Sequence, residues 1–323
     1  MFESFRVTIS PYSTSSHCLG TLHTIFESHA HLIRTLTIRN TISPDCRVET
    51  RRFSRDVQDI IGRGFLLCTQ IQSLVCSESH GMFSKQSWLS LWVPANLTSL
   101  TFMPNKGSTD LSYCLLVMKD SLQSLKIINW HSQHDNPSPF HLPSSLLHLT
   151  HLALIGCHPP PPHIKKLFAH IITPSSPQNL TPTVPLRSLT VRSISCTELA
   201  GIISILAMRQ FGTHLRTLYI TSSRAGDMDN VVDRTIPITL LCLCPNLVEF
   251  AYDGHMDERV LSSLPFILTV LELSPRNYCT SSKVKNLSPE FLALWLRDGL
   301  HRKRARQGCA MSSYMFSTWM RLT

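Results

Sequence analysis

Between residues 146 and 163 the chain reads LLHLTHLALIGCHPPPPH, with His148, His151, His158 and His163 around Cys157. Imidazole and thiolate are the ordinary zinc ligands, and a cysteine beside a histidine is also the pairing of thiol nucleophiles. A structural metal needs about four such groups converging on one point, so the backbone that holds them decides. Three other stretches carry reactive types. Cys242-Leu-Cys244 could bind metal or exchange electrons, HSQHD at 131–135 puts two histidines beside an acid, and HRKRAR at 301–306 has the charge of a nuclear-import or nucleic-acid contact. No G-x-S-x-G elbow, phosphate-binding loop, H-E-x-x-H helix or paired-carboxylate motif occurs.

The elements that would position these groups come from a repeated six-residue phrase. It reads IRTLTI from Ile33, IQSLVC from Ile71, LTSLTF from Leu97, LQSLKI from Leu122, LTHLAL from Leu149, LRSLTV from Leu186 and LRTLYI from Leu215. Looser copies are LVEFAY from Leu247 and LTVLEL from Leu268, and FESFRV from Phe2 is a candidate tenth. Composition alone would give fewer than about one window of the strict form, and seven are present. The phrase matches the L-x-x-L-x-L opening of a leucine-rich repeat, which forms a short strand on the inner face of a horseshoe. Side chains alternate along a strand, so the second and third apolar residues point into the core, and those between and after them face the open side. Copy starts lie 21 to 38 residues apart, which implies divergent repeats with inserted loops.

The segments between copies read as outer helices, at 56–67, 109–118 and 197–208. In the last of these Leu199, Ile202, Ile203, Leu206 and Met208 form a stripe behind Thr197 as N-cap. At 288–299, Ser288 as N-cap, Pro289, Glu290 and the terminator Gly299 describe a capping helix. The Pro-, Ser- and His-rich segments 131–145, 158–163 and 173–185 read as loops. The expected fold is α/β: a leucine-rich-repeat solenoid over residues 1–300, with irregular repeats, parallel strands on the concave face and helices on the convex face. Residues 301–323 form a basic tail expected to be poorly ordered.

Laid over this repeat, the histidine cluster separates. Leu149, Leu152 and Leu154 are its apolar positions, and Cys157 takes the slot where such repeats use Asn or Cys to bond the turn backbone, as Asn105 does after Leu97. His151 shares a column with Thr35, Ser73, Ser99, Ser124, Ser188 and Thr217 and should face outward while Cys157 faces in. A metal protein or enzyme centred on 148–163 is thus the lesser reading, and no metal, cofactor or catalytic residue is expected. Cys242 and Cys244 lie in an apolar run and are expected to be buried. HSQHD reads as a solvated loop. HRKRAR reads as a tail after the last helix, with a nuclear basic protein as the alternative; no aromatic residues interleave with its charges, so nucleic acid is not an expected partner.

The concave face is where function is expected. Arg39, Lys126 and Arg192 project from its earlier strands, Glu249, Asp253 and Glu272 from the later ones, with His151 and Tyr219 between. Such a gradient suits a protein partner of opposite polarity. Bulk properties agree with a folded protein with modest positive steering: 323 residues, 43% apolar, 16% charged and a formal charge of +9. Eleven spread cysteines without a C-x-x-C pair, and an N-terminus without an apolar leader, point to a reduced cytoplasmic or nuclear chain. No stretch reaches the roughly 18 apolar residues of a membrane span.

Several phrases together resemble the leucine-rich region of F-box proteins from basidiomycete fungi. These are LGTLHTIFESHAHLIRTLTIRN, LPSSLLHLTHLALIGC, VPLRSLTVRSISC, CPNLVEFAYDG and SPEFLALWLRDG. The resemblance covers roughly residues 2 to 300 and implies a substrate receptor of a cullin ubiquitin ligase, in which the F-box docks the ligase adaptor and the repeats present substrate. The chain opens at what looks like the first strand after an F-box, with no LPxE-like start ahead of it. The adaptor is therefore expected as a partner only if an F-box exists upstream.

Overall fold

The computed structural model describes residues 3–9, 16–40, 48–77, 97–103, 115, 118–129, 146, 148–157, 167–168, 186–194, 196–207, 211–222, 236–253, 263, 265 and 267–273. The expected capping helix at 288–299, the tail 301–323 and the loops 131–145, 158–163 and 173–185 lie outside them, as does most of the helix expected at 109–118.

Ten strands form one sheet whose spatial order is the chain order. They are β1 (Ser4–Ile9), β2 (Thr35–Asn40), β3 (Ser73–Ser77), β4 (Ser99–Met103), β5 (Ser124–Ile128), β6 (His151–Ile155), β7 (Ser188–Ile194), β8 (Thr217–Ser222), β9 (Glu249–Asp253) and β10 (Val270–Leu273). Every neighbouring pair is parallel. Each strand starts at the third residue of a copy of the phrase, the two looser copies and the candidate tenth included. The third residues also stand opposite one another: Ser4 faces Thr35, Thr35 faces Ser73, and so on to Glu249 and Val270. Such an all-parallel α/β stack, in which each strand pairs only with the copies before and after it, is compatible with a solenoid.

The alternation of the phrase explains the burial. In the seven strict copies the first, fourth and sixth residues are sealed in: Leu122, Leu125 and Ile127 in one, Leu149, Leu152 and Leu154 in the next, each at most 1% exposed; Phe5 and Leu268, in FESFRV and LTVLEL, are partly buried. Burying one such side chain contributes about 1.5–3 kcal/mol before chain entropy is counted. The second residue, exposed or half-buried in the strict copies, serves the stack through its backbone. Its carbonyl accepts from the N–H groups of the second and third residues of the next copy, as Arg34 O does from Gln72 and Ser73 at 2.7 and 3.0 Å. Where this residue is threonine its hydroxyl adds another bond, Thr150 Oγ1 donating to Gln123 O at 3.1 Å.

Helices whose bounds fall among the described residues are α1 (Ser16–His29), followed by a 3-10 turn at Ala30–Leu32, then α2 (Val48–Leu67), α3 (Cys196–Ala207), α4 (Phe211–His214) and α5 (Ile236–Leu243). Their apolar stripes join the sheet in one core: Leu22 and Phe26 of α1, Val57, Ile61 and Phe65 of α2, Leu199, Ile202 and Leu206 of α3. Two edge-to-face ring pairs fasten distant pieces, Phe5 of β1 on Phe26 (centroids 5.8 Å) and Phe168 on Phe211 (5.7 Å). Two expectations need correction. α2 begins at Val48 rather than residue 56, and α3 begins at Cys196, which puts Thr197 inside the helix rather than at its cap. Ile205, left out of the expected stripe, is buried at 5%; Ile203 is only partly buried, and Met208 lies outside the described residues.

Candidate functional site

On β3, β4 and β5 the fourth and sixth residues are buried and the third, fifth and seventh half-buried, so the latter line the other face of the sheet. Three rows therefore run across the strands, about 6.6–7 Å apart along each strand and stepping about 4.8 Å from strand to strand.

The third-residue row carries His151 on β6, facing Ser124 and Ser188, and Glu249 on β9, facing Thr217. The fifth-residue row holds Lys126 on β5, facing Thr101 and Ala153, and Tyr219 on β8, facing Thr190 and Ala251. Arg39 on β2, Arg192 on β7 and Asp253 on β9 belong to the seventh-residue row, facing Ser77, Ile155 and Thr221 respectively. Glu272 on β10 faces Ala251 and so continues the fifth row. By backbone register all eight expected positions belong to these three rows, spread along the sheet rather than gathered at one point.

Side-chain chemistry ties some of them together. Tyr219 Oη donates to Glu249 Oε2 at 2.7 Å, and Thr217 Oγ1 donates to the same oxygen at 3.4 Å. The carboxylate is held by two hydroxyls of the preceding strand. His151 Nδ1 lies 2.7 Å from Thr150 Oγ1. The same hydroxyl lies 3.1 Å from Gln123 O, so it bridges the imidazole and the preceding copy. Arg39 and Arg192 are exposed and Lys126 half-buried, and among the described residues none of the three takes part in an ion pair.

The groups that opened the sequence reading are separated. Cys157 is buried at 1% and its thiol donates to Ile127 O at 3.3 Å, which closes the turn after β6 against the preceding strand. That turn is made by Gly156 at φ +59°, stacked on Asn129 at φ +56° after β5. A Cβ at Gly156 would stand 2.6 Å from Asn129 Oδ1, so glycine is required there. His151 and His148 are exposed, whereas the thiol is sealed in. His158 and His163 lie outside the described residues, as do HSQHD and HRKRAR. Among the described residues no group of three or more His, Cys, Asp or Glu side chains is placed to hold a metal.

The pair Cys242 and Cys244 corrects the expectation of two buried thiols: Cys244 is buried and Cys242 is exposed. α5 buries Ile236, Pro237, Leu240 and Leu241, and on that spacing residue 244 continues the inner stripe while 242 turns outward. Burial pushes the Cys244 thiol, and Cys68 before β3, up to about 12 from 9.0, so neither is an activated nucleophile.

Two features of the open face escaped the sequence reading. Arg6, the fifth residue of FESFRV, is exposed on β1 and faces Thr37; the same column count that found Lys126 would have found it. The seventh-residue row also carries Met103, Ile128 and Ile155 on consecutive strands, one place beyond the phrase. Neither protein-family models nor curated proteins give a match to the sequence. Among the described residues no helix is long and apolar enough to cross a membrane.

Proposed function

We propose that the chain is a leucine-rich-repeat protein-recognition module without catalytic activity, working in the cytoplasm or nucleus, that binds its partner on the open, concave face of the sheet. The observation that carries this reading is the coincidence of all ten strand starts with the third residue of the phrase, which turns one local pattern into a continuous side-chain array. An array of this kind recognises extended surface rather than enclosing a small molecule. The phrases similar to basidiomycete F-box proteins support the narrower reading of a ubiquitin-ligase substrate receptor, whose adaptor would be bound through an upstream F-box.

Affinity capture from the source cells, quantified by mass spectrometry, tests it. Wild-type chain is compared with a triple reversal Arg39→Glu, Lys126→Glu, Arg192→Glu and with Arg63→Glu on the exposed side of α2. The expected result is a protein retained by wild type and Arg63→Glu and lost from the triple variant. Identical capture by all three would overturn the reading. Co-purification of a cullin adaptor would support the ligase role, and its absence with the partner still present would reduce the proposal to a stand-alone module.

A further inference from the structure

The seventh-residue row has a composition that the other rows lack. From β2 to β7 it runs Arg39, Ser77, Met103, Ile128, Ile155 and Arg192, one residue per strand, with the three apolar residues on consecutive strands. The three apolar side chains are half-buried, and the two arginines at the ends are exposed. Lys126 stands two residues before Ile128 on β5, in the adjoining row. Among the third, fifth and seventh residues of β1 to β8 there is no carboxylate; the first is Glu249, already held by Tyr219. The strip is therefore an apolar centre with cations at both ends and along one side, and it carries no counter-charge of its own.

We infer that this strip docks an amphipathic, acidic α-helix of a partner protein, lying across the strands. The inference rests on the recognition reading above and names the partner's chemistry. Strand spacing favours a helix: consecutive strands are about 4.8 Å apart, close to the 5.4 Å helical turn that separates apolar residues three or four apart in sequence. An extended peptide would present same-side residues about 6.6–7 Å apart and drift out of step within three strands. Arg39 and Arg192 are separated by five strand spacings, about 24 Å, which a helix spans in about 16 residues. The partner helix thus carries an acidic residue near each end of a 16- to 19-residue stretch, three apolar residues at helical spacing between them, and a flanking acid for Lys126. Aliphatic side chains at the centre fit a protein rather than bases, which need aromatic or guanidinium stacking partners.

A displayed library of helix-biased 19-residue peptides tests this, selected on the full chain and counter-selected on the double variant Arg39→Glu, Arg192→Glu. Enriched peptides are then synthesised and titrated by fluorescence anisotropy against wild type, the double variant and Ile128→Asp; a single-stranded oligouridine is titrated in parallel. Expected is enrichment of acids at the two ends with apolar residues three or four apart, and affinity at least about tenfold weaker for both variants. A peptide with its terminal acids changed to lysine should bind the double variant better than it binds wild type. Circular dichroism of the variants guards against misfolding. Enriched peptides without that charge pattern, or affinities indifferent to Arg39 and Arg192, would overturn the helix inference. Oligouridine binding with the same residue dependence would also overturn it, in favour of nucleic acid. If peptides fail while cellular capture is still lost on charge reversal, the helix inference falls and the recognition module stands; if capture is also unchanged, both fall.

Discussion

Two glycines in the same helix should respond to the same substitution with opposite signs. Gly62 and Gly64 both lie inside α2. A Cβ added at Gly62 meets nothing within 4 Å, whereas one added at Gly64 falls on the Phe26 ring of α1. Phe26 cannot step aside: it is 2% exposed and its ring is packed edge-to-face on Phe5 of β1. In a helix interior, Gly→Ala contributes about 1 kcal/mol through reduced chain entropy. Gly62→Ala should therefore stabilise α2 by about 0.5–1 kcal/mol. Gly64→Ala gains the same term but forces overpacking that costs about 1–3 kcal/mol, for a net loss of up to about 2 kcal/mol. Amide hydrogen exchange in peptides spanning residues 16–67 reads this locally, with slowed exchange in the first variant and accelerated exchange in the second. Adding Phe26→Leu to Gly64→Ala should recover about 1 kcal/mol relative to the sum of the two single effects. If Gly64→Ala slows exchange as much as Gly62→Ala does, α1 does not lie over α2 as described and the packing of the first repeats is wrong.

Three further outcomes follow from the thiols. Cys157→Ala removes the bond to Ile127 O and should cost about 1 kcal/mol in urea denaturation, while His151→Ala changes stability by less than about 0.5 kcal/mol and zinc alters neither; a shared metal site would make both costly and zinc-dependent. Burial pushes the Cys68 and Cys244 thiols up from 9.0 to about 12 in the folded chain, so the unfolded state releases protons first as pH rises. Their stabilisation is intact below pH 9 and falls above it, by about 1.4 kcal/mol per pH unit for each thiol; a Cys68→Ala, Cys244→Ala variant measured from pH 8 to 10.5 should show a flatter decline than wild type. Iodoacetamide at neutral pH, mapped by mass spectrometry, should label Cys242 and spare Cys68, Cys76, Cys157 and Cys244 until the chain is denatured, because only the first is exposed.

The strands were legible because their information is local. Alternation with a fixed first apolar residue states where a strand starts and which side chains it buries, so even LVEFAY and FESFRV, poor in the preferred residues, located β9 and β1. Helix ends were less legible. Val48 opens α2 in the polar run VETRRFSRD, which gives no apolar stripe to mark it. The side of α5 taken by Cys242 could not be read from an apolar run that looks alike on every face; it took packing against the sheet to choose one. On the open face, single charges such as Arg39 and Lys126 could be counted from the phrase. The Tyr219–Glu249 bond could not, because it joins residues 30 apart in sequence that meet only when two copies stack in register. The row of Met103, Ile128 and Ile155 was missed for a similar reason, since each is an unremarkable residue until its neighbours are set beside it.

Site-specific photo-crosslinking in the source cells most directly tests whether the open face is the recognition surface. A photo-reactive amino acid replaces either Thr101, half-buried on β4 of the open face, or Ser204, exposed on α3. The expected result is a discrete crosslinked protein from position 101 that is lost on adding Arg39→Glu and Arg192→Glu, with none from position 204. Crosslinking from position 204 alone, or equally from both and insensitive to the charge reversal, would contradict recognition through this face.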